Sequence, residues 1–594
     1  MKKAVLRAGA PVAALAFALS LVMLSLVALS ACAPAGGAAG APQAPAPASG
    51  GAGGGGGADA DATVGADGAD GADGAAPADA AADASATEAP TEGAAAATAE
   101  AGTAAAPVAG RAAGAQPRDE VVIGFPSVPS NYDPLDGFSS GVQLLYSALV
   151  QTDADMNVVP DLAESWEVSG DALTYTFRLR SGARFTDGTD VTARDAVFSY
   201  GTAMANATGI DLSMVDSVAE EGGDVAIRLK RPRSVFLLTA AQVGIVPEHA
   251  YGGDFALNPI GSGPFALAQH DVDQQFILEA NEDYYAGAPA IKRAVFLKVS
   301  GEDRQLLAAR GGEVDIALAS ATIAAANAGA LPGYRLLVEK SVDNMGIAAP
   351  VVPDDGGVNE YGYRIGNAVT SDIAVRKALA YGLDRQRICD EALSGYASPA
   401  YSENDGMPWS NPESAIDYDL GLALKYLDDA GWADADGDGI RERGGVRASF
   451  PLLYFAGDSV RQAVAMSAAI QARDSLGIEI LVEGAGEDLG ERMFSEPLLL
   501  AWGSSNPMTT YMLFHSSNAG KDDWYNPENY ANPAVDAYLD AALGAKTLDE
   551  SVPSWQSAQW DGSTGTSMRG DAPYIFLINK DHLYWAREGL DTGR

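Results

Sequence analysis

The chain has 594 residues and a formal net charge of −41, from 38 Lys and Arg against 79 Asp and Glu. So acidic a protein does not hold nucleic acid or anionic lipid through a basic surface. Two cysteines in the whole chain, Cys32 and Cys389, exclude a disulfide-stapled scaffold.

Lys2, Lys3 and Arg7 precede an apolar run from Pro11 to Leu29. About 20 apolar residues suffice to cross a bilayer, so length alone leaves a span open. The basic start, apolar centre and small residues at the end describe a secretory signal instead. Leu29-Ser30-Ala31-Cys32 resembles the lipobox of bacterial lipoproteins, which implies removal of residues 1–31 and lipidation of Cys32. A plain signal peptide, or an amino-terminal anchor with a chance cysteine, is the alternative. A two-chain anchor holds by burying methylenes at about 0.8 kcal/mol each.

Residues 32–118 are almost wholly Ala, Gly, Pro, Asp, Glu and Thr, with three Gly-Ala-Asp triplets at 65–73. Nothing there can oppose ordering entropy, so a disordered acidic tether is expected. Its random-coil spread is on the order of 50 Å.

From Glu120 onward, roughly 475 residues mix apolar and polar segments, too many for one ordinary core, so two or three lobes are expected. "EVVIG" (120–124) reads as an opening strand. Val142 to Leu149 has helical spacing. "LTYTFRLR" (173–180) alternates, with Leu173, Tyr175, Phe177 and Leu179 on one face. "ARDAVFSYGTAM" returns to helical spacing behind Thr192, a plausible N-cap. Helices and strands alternate, which points to an α/β or α+β chain.

In this order follow Asp133-Pro134-Leu135, "VPDLAESWEVSGDALTYTFRLRSGARFTDGTDVTARDAVFSY" (159–200), "GSGPF" (261–265), "NEDYYAG" (281–287), "GGEVDIA" (311–317) and "SDIAVRKALAYGLDRQRI" (371–388). The series resembles the family-5 extracellular solute-binding proteins of ABC importers, which include oligopeptide-, dipeptide- and nickel-binding proteins. The resemblance covers nearly all of 120–594.

Taken singly, the motifs are mostly structural. In "GSGPF", Gly261 and Gly263 suit positive φ or close backbone approach, and Pro264 stiffens the turn, as in an ordinary interdomain turn. "DIAVRKALAYGLDRQRI" is an amphipathic helix with Ile373, Val375, Ala378, Leu379 and Leu383 on its packing side. Asp434, Asp436, Asp438 and Gly439 match the start of a calcium loop, but the twelfth position is Gly445 instead of Glu, so a solvated turn is expected and no metal is assigned. His249, His270, His515 and His582 lack metal-ligand spacing, and no Gly-x-Ser-x-Gly elbow is present. Cys389 sits within a predicted helix and reads as a buried structural thiol. Arg569-Gly570-Asp571 reads as a helix-to-strand junction. No enzyme and no cofactor are expected.

The resemblance implies an α/β, two-lobed periplasmic-binding-protein-like fold of the class II, or cluster C, type. Lobe I would span 119–345 with a domain inserted at about 145–258. Lobe III would span 346–548, and 549–594 would return to lobe I, with crossings near Asn344 and Leu548 forming a hinge. The ending "DHLYWAREGLDTGR" is shorter than expected for completing lobe I, as in a truncated gene or a compact variant. The chain would be a monomeric, membrane-anchored receptor facing the outside or the periplasm, serving a permease and an ATPase and binding no nucleic acid.

Peptides in this family lie extended and pair their backbone with two protein segments. The counterparts here are Asp136, Gly137, Phe138 and Ser139, and Trp502, Gly503, Ser504, Ser505 and Asn506. Peptide binders commonly place an aspartate two or three residues after that tryptophan, where this chain has Ser504 and Ser505. A hydroxyl there accepts a hydrogen bond but brings no charge. Nickel-chelate binders place a histidine near Met508, whose thioether is a poor substitute for imidazole. A peptide is the leading solute. A metal chelate, sugar or other small solute on the same fold, or a sensor or adhesin without a transporter, is the alternative.

Overall fold

The computed structural model describes residues 119–592, except 137–143, 155, 207–209, 328–330, 504–505 and 522–523. The signal, the tether and Cys32 lie outside the described residues. Among those described, no helix is long and apolar enough to cross a membrane.

Glu120–Phe125 is a strand whose alternating Val121, Ile123 and Phe125 are buried. It lies inside a seven-stranded sheet. From edge to edge the order is Tyr334–Glu339, His582–Arg587, Ile316–Ala319, Glu120–Phe125, Arg293–Lys298, Gln275–Ala280 and Phe265–Asp271. A four-stranded antiparallel sheet (Ala163–Val168, Thr174–Leu179, Asp224–Leu229, Val215–Glu221) shares its core. A six-stranded sheet has a core of its own and runs Ala397–Pro399, Tyr574–Lys580, Asp343–Ala348, Leu498–Gly503, Ser449–Phe455 and Glu479–Ala485.

The chain crosses between the two large sheets twice, after Glu339 and at Asp581. The second crossing was expected near Leu548 and lies further on. The helix Leu548–Gln559 buries Trp555 and Ala558 in the six-stranded core, and Tyr574–Lys580 is an inner strand of that sheet. Only from His582 onward does the chain rejoin the seven-stranded sheet. Side by side, the crossings are tied by Lys340 Nζ to Asp581 Oδ2 at 2.7 Å, Ser341 Oγ donating to Lys580 O at 2.7 Å, and Lys580 Nζ to Asp343 Oδ2 at 3.1 Å.

Local expectations hold where the signal is local. Thr192 caps Ala193–Ala205 in a capping box, its N–H donating to Asp195 Oδ2 at 2.9 Å. Tyr175 and Phe177 are buried. Asp372 caps Ile373–Gly382, with Val375, Ala378, Leu379 and Leu383 buried. Ile373, assigned to the packing side, is 46 % exposed because it occupies the first helical position, ahead of the turn that meets the core. Leu144–Leu149 is not a helix. Its carbonyls accept from other segments, Leu145 O from Gly263 N at 3.0 Å, Ala148 O from Leu162 N at 3.0 Å and Leu149 O from Ala163 N at 2.9 Å. It is therefore a buried thread, apolar but for Ser147 and the Tyr146 hydroxyl.

Three motifs converge on that thread. Asp161 Oδ2 accepts from Ala148 N at 2.9 Å, while Tyr285 OH bonds Asp161 Oδ1 and, at 2.8 Å, Ser147 Oγ. Burial pushes the Asp161 carboxyl up to about 6. Gly261 and Gly263 approach the backbone of Leu144 and Leu145 with no room for a Cβ. Close approach, not positive φ, is what these glycines supply.

Candidate functional site

Asn344 pairs with Trp502 on one neighbouring strand and with Asn579 on the other, and Asn579 pairs with Ser398. Directly paired residues share a face, so Trp502, Asn344, Asn579 and Ser398 form a row across four strands. The row lies at the end of the six-stranded sheet nearest the crossings. An aromatic and three polar residues thus stand where the two halves meet. Tyr525 stacks on Trp502 with ring centroids 5.1 Å apart.

Behind the row is a buried polar network. Asn344 Nδ2 donates to Trp502 O and, at 3.3 Å, to Glu403 O. Thr510 Oγ1 bonds Glu403 Oε1 and accepts from Asn404 Nδ2 at 3.2 Å. Glu403 is 1 % exposed, and burial pushes its carboxyl up to about 7. Asp405 accepts from Tyr401 N at 2.8 Å, Asn579 Nδ2 at 3.0 Å and Ser402 Oγ at 2.7 Å. Beside it opens a cavity of about 390 Å³ lined by Ser341, Ser398, Tyr401, Asp405, Ser410 and Asn579 among others.

Of the expected site residues, Trp502 and Gly503 end the strand Leu498–Gly503, and Asn506 and Met508 follow on the same side. Asn506 Oδ1 accepts from Met508 N at 3.0 Å, starting the helix Met508–Phe514, and Met508 packs against the six-stranded core. Gly503 lies so close to Asp343 that a Cβ would stand 2.8 Å from its Cα. Asp136, exposed on the seven-stranded side, is held by Asn131 Nδ2 at 3.1 Å. Gly137, Phe138, Ser139, Ser504 and Ser505 lie outside the described residues. Sequence reasoning missed Asn344 as a site residue, and missed Glu403, Asn404, Thr510 and Tyr525. The run Ser402-Glu403-Asn404-Asp405, polar and then wholly or largely buried, was the available signal.

The halves also touch away from the crossings. Ser234 donates from its backbone N to Leu543 O at 3.0 Å and from Oγ to Ala542 O at 2.8 Å, supplying two carbonyls in the last turn of the helix Pro533–Gly544. Val235 is buried in the six-stranded core, while its neighbour Phe236 belongs to the other core.

Asp434, Asp436 and Glu442 bring carboxylate oxygens within 4.8 Å of one another. Asp434 accepts from Gly437 N and Gly439 N, Asp436 from Asp438 N, and Glu442 from Ala435 N, so these acids cap the turn's own donors. Cys389 is buried, and burial pushes its thiol up to about 12. Asp571, within the Arg-Gly-Asp tripeptide, accepts from Tyr530 OH at 2.6 Å and Asn532 Nδ2 at 2.8 Å, an internal role.

Glu528 is wholly buried, both its oxygens lack a hydrogen-bond partner, and burial raises its carboxyl to about 8. A carboxyl whose folded value exceeds its unfolded one gives stability that is complete below the unfolded value and lost as pH rises through the folded one. Glu403 and Glu528 therefore destabilise the fold between pH 6.5 and 8. The window avoids His582, lowered to about 4 by burial, which costs stability only below its unfolded value, and Lys377, lowered to about 8, whose effect reverses the sign above that point. Unfolding free energy from guanidinium titration is expected to fall by about 2 kcal/mol across the window. Glu528→Gln should remove most of the slope, and an equally steep slope in that variant would refute the assignment.

Two α/β halves, each with its own core and joined by paired crossings, define a two-lobed solute-capturing protein. The profile described as "Bacterial extracellular solute-binding proteins, family 5 Middle" matches residues 157–547. The chain belongs to this family. It is similar to Protein XP55 of Streptomyces lividans, 34 % identical over 490 residues that cover 79 % of this chain and 85 % of that protein. It is also similar to the oligopeptide-binding protein AppA of Bacillus subtilis, 27 % identical and covering 79 % of this chain and 87 % of that one. The crystal structure of NikZ from Campylobacter jejuni in complex with Ni(L-His) shares the fold, with a TM-score of 0.64 at 22 % identity, over 80 % of this chain and 95 % of that one. Proteins of this family are the substrate-binding proteins that serve the permease and ATPase components of ABC transporters.

Proposed function

We propose that this chain is a lipid-anchored receptor that captures a peptide between its lobes and delivers it to an ABC permease. The observation that carries the reading is the row Trp502, Asn344, Asn579 and Ser398 at the crossing end of the sheet, with the strand Leu498–Gly503 running out beside it. An extended peptide adds its backbone to such a strand end, while the aromatic surface of Trp502 and Tyr525 receives a side chain. Trp502, Gly503, Ser504, Ser505, Asn506 and Met508 supply one side. Asp136, Gly137, Phe138 and Ser139 supply the other. Similarity to an oligopeptide-binding protein over most of both chains supports a peptide as the solute. Native mass spectrometry of the protein lacking residues 1–32 tests this. Copurified peptides of mixed sequence are expected, and a single metal complex or sugar overturns the reading.

Cys32 anchors the mature chain, and the monomer works at the outer face of the membrane. In cells fed labelled fatty acid, the wild-type protein is expected in the membrane fraction with label, and Cys32→Ser in the soluble fraction without it. Label on Cys32→Ser would rule out the anchor.

A further inference from the structure

The acid at Glu403 has no role in the contacts a peptide backbone makes, yet it sits at the centre of the network behind the site. We propose that Glu403 is a positioning residue that holds Trp502 and the helix Met508–Phe514 in their binding geometry, so that loss of its proton loosens the grip on solute. The inference rests on the peptide-capture reading for its functional consequence, and on geometry for the rest.

Glu403 reaches both of them. Its side chain bonds Thr510 Oγ1 in the helix Met508–Phe514, and its backbone carbonyl accepts from Asn344 Nδ2 at 3.3 Å. The same Asn344 amide group donates to Trp502 O. Asn404, the next residue, adds a second bond to Thr510 at 3.2 Å. One buried residue thereby ties Trp502, through Asn344, to Thr510 in the following helix.

The surroundings make its charge unwelcome. From its own segment it faces Asp405, a like charge that raises it further. From the helix Met508–Phe514 comes only a hydroxyl, and from the strand Asp343–Ala348 only the Asn344 amide, directed at its backbone. Basic groups of the same half are engaged elsewhere: Lys580 with Asp343, Lys340 with Asp581, and Arg385 with Phe576 O, Ala380 O and the Tyr401 ring. The carboxyl has one short donor, Thr510 Oγ1, and one long one, Asn404 Nδ2 at 3.5 Å, both on Oε1, too few to keep an ionised carboxylate buried. To reach water it must leave Thr510 and drag its own carbonyl from Asn344, and Trp502 loses its strut. Burial sets the transition at about 7.

Two readouts test this. Tryptophan emission of the unliganded protein, taken as the difference between wild type and Trp502→Phe, is expected to titrate with a midpoint near pH 7, and Glu403→Gln is expected to abolish that titration. Affinity for a pool of alanine-based tri- to nonapeptides is expected to fall about tenfold from pH 6 to pH 8 in the wild type, one unit of linked shift. Glu403→Gln, which keeps the shape and carries no charge, should hold the pH 6 affinity throughout, whereas a merely structural role would leave it weak at both values. A flat emission profile in the wild type, or an undiminished titration in Glu403→Gln, overturns the proposal. If the pool binds at no pH while the emission titrates as expected, the peptide reading fails and the role of Glu403 stands.

Discussion

Asp315→Ala is expected to lower the unfolding free energy by about 3–5 kcal/mol, the cost of leaving a buried charge without its partner. Asp315 is 1 % exposed, and its Oδ1 receives Arg587 Nε at 2.7 Å while Oδ2 receives Val122 N at 3.0 Å. The guanidinium also donates to Gly312 O and Val314 O, each at 3.0 Å, and lies over the Tyr334 ring at 5.0 Å. Backbone bonds run alongside, Arg587 N to Asp315 O at 2.8 Å and Asp315 N to Val122 O at 2.7 Å. One ion pair therefore stitches together the four strands at one side of the seven-stranded sheet, including the strand that returns last. Guanidinium titration followed by far-UV circular dichroism measures the loss. The double variant Asp315→Ala/Arg587→Met should be less damaged than Asp315→Ala alone, because no unpaired charge is then buried. Damage that simply adds would show that the pair is not coupled.

The strength of this pair bears on what could be read from the chain. "GGEVDIA" was visible as a motif, but its working residue, Asp315, meets a partner 272 positions away. Local chemistry was legible for a local reason: Thr192 with Asp195, and the alternation through Tyr175 and Phe177, are complete within a few residues. Where apolar spacing was compatible with two outcomes, tertiary contacts decided. Leu144–Leu149 has the spacing of a helix, yet its carbonyls are claimed by segments from elsewhere in the chain, and a helix cannot give up its own hydrogen bonds. The crossing expected near Leu548 was displaced for a related reason. Trp555 and the run Tyr574–Lys580 have the same composition whichever core they join, and only packing assigns them.

The candidate site divides in the same way. Trp502, Asn506 and Met508 were reached through a motif alignment, since they lie in one stretch. Glu403 was not, because it meets Asn344 at a separation of 59 positions and Thr510 at 107. A polar run such as Ser402-Glu403-Asn404-Asp405 reads as a solvated loop until something covers it. Here the covering elements are the strand end at Asn344 and the helix at Thr510, which is how an acidic stretch comes to be buried.

Gly261→Ala is expected to be among the most damaging single-methyl additions in the chain. A Cβ there would stand 1.9 Å from Leu145 O and 2.8 Å from Leu145 C, and neither is a side chain that can swing away. Leu145 O is also the acceptor for Gly263 N at 3.0 Å, and Gly261 O accepts from Thr186 N at 2.8 Å, so moving either backbone breaks bonds that hold this thread in place. Ordinary overpacking costs about 1–3 kcal/mol when side chains can yield. With only backbone to displace, the loss should reach the upper end of that range or pass it. Gly201→Ala is the matched control. Gly201 lies exposed in the helix Ala193–Ala205 with nothing within 4 Å of its ideal Cβ, and alanine there should stabilise by about 0.5–1 kcal/mol. Opposite signs in guanidinium titrations of the two variants would show that the glycines of "GSGPF" are there for close approach. A harmless Gly261→Ala would mean that the thread at Leu144–Leu149 is free to move.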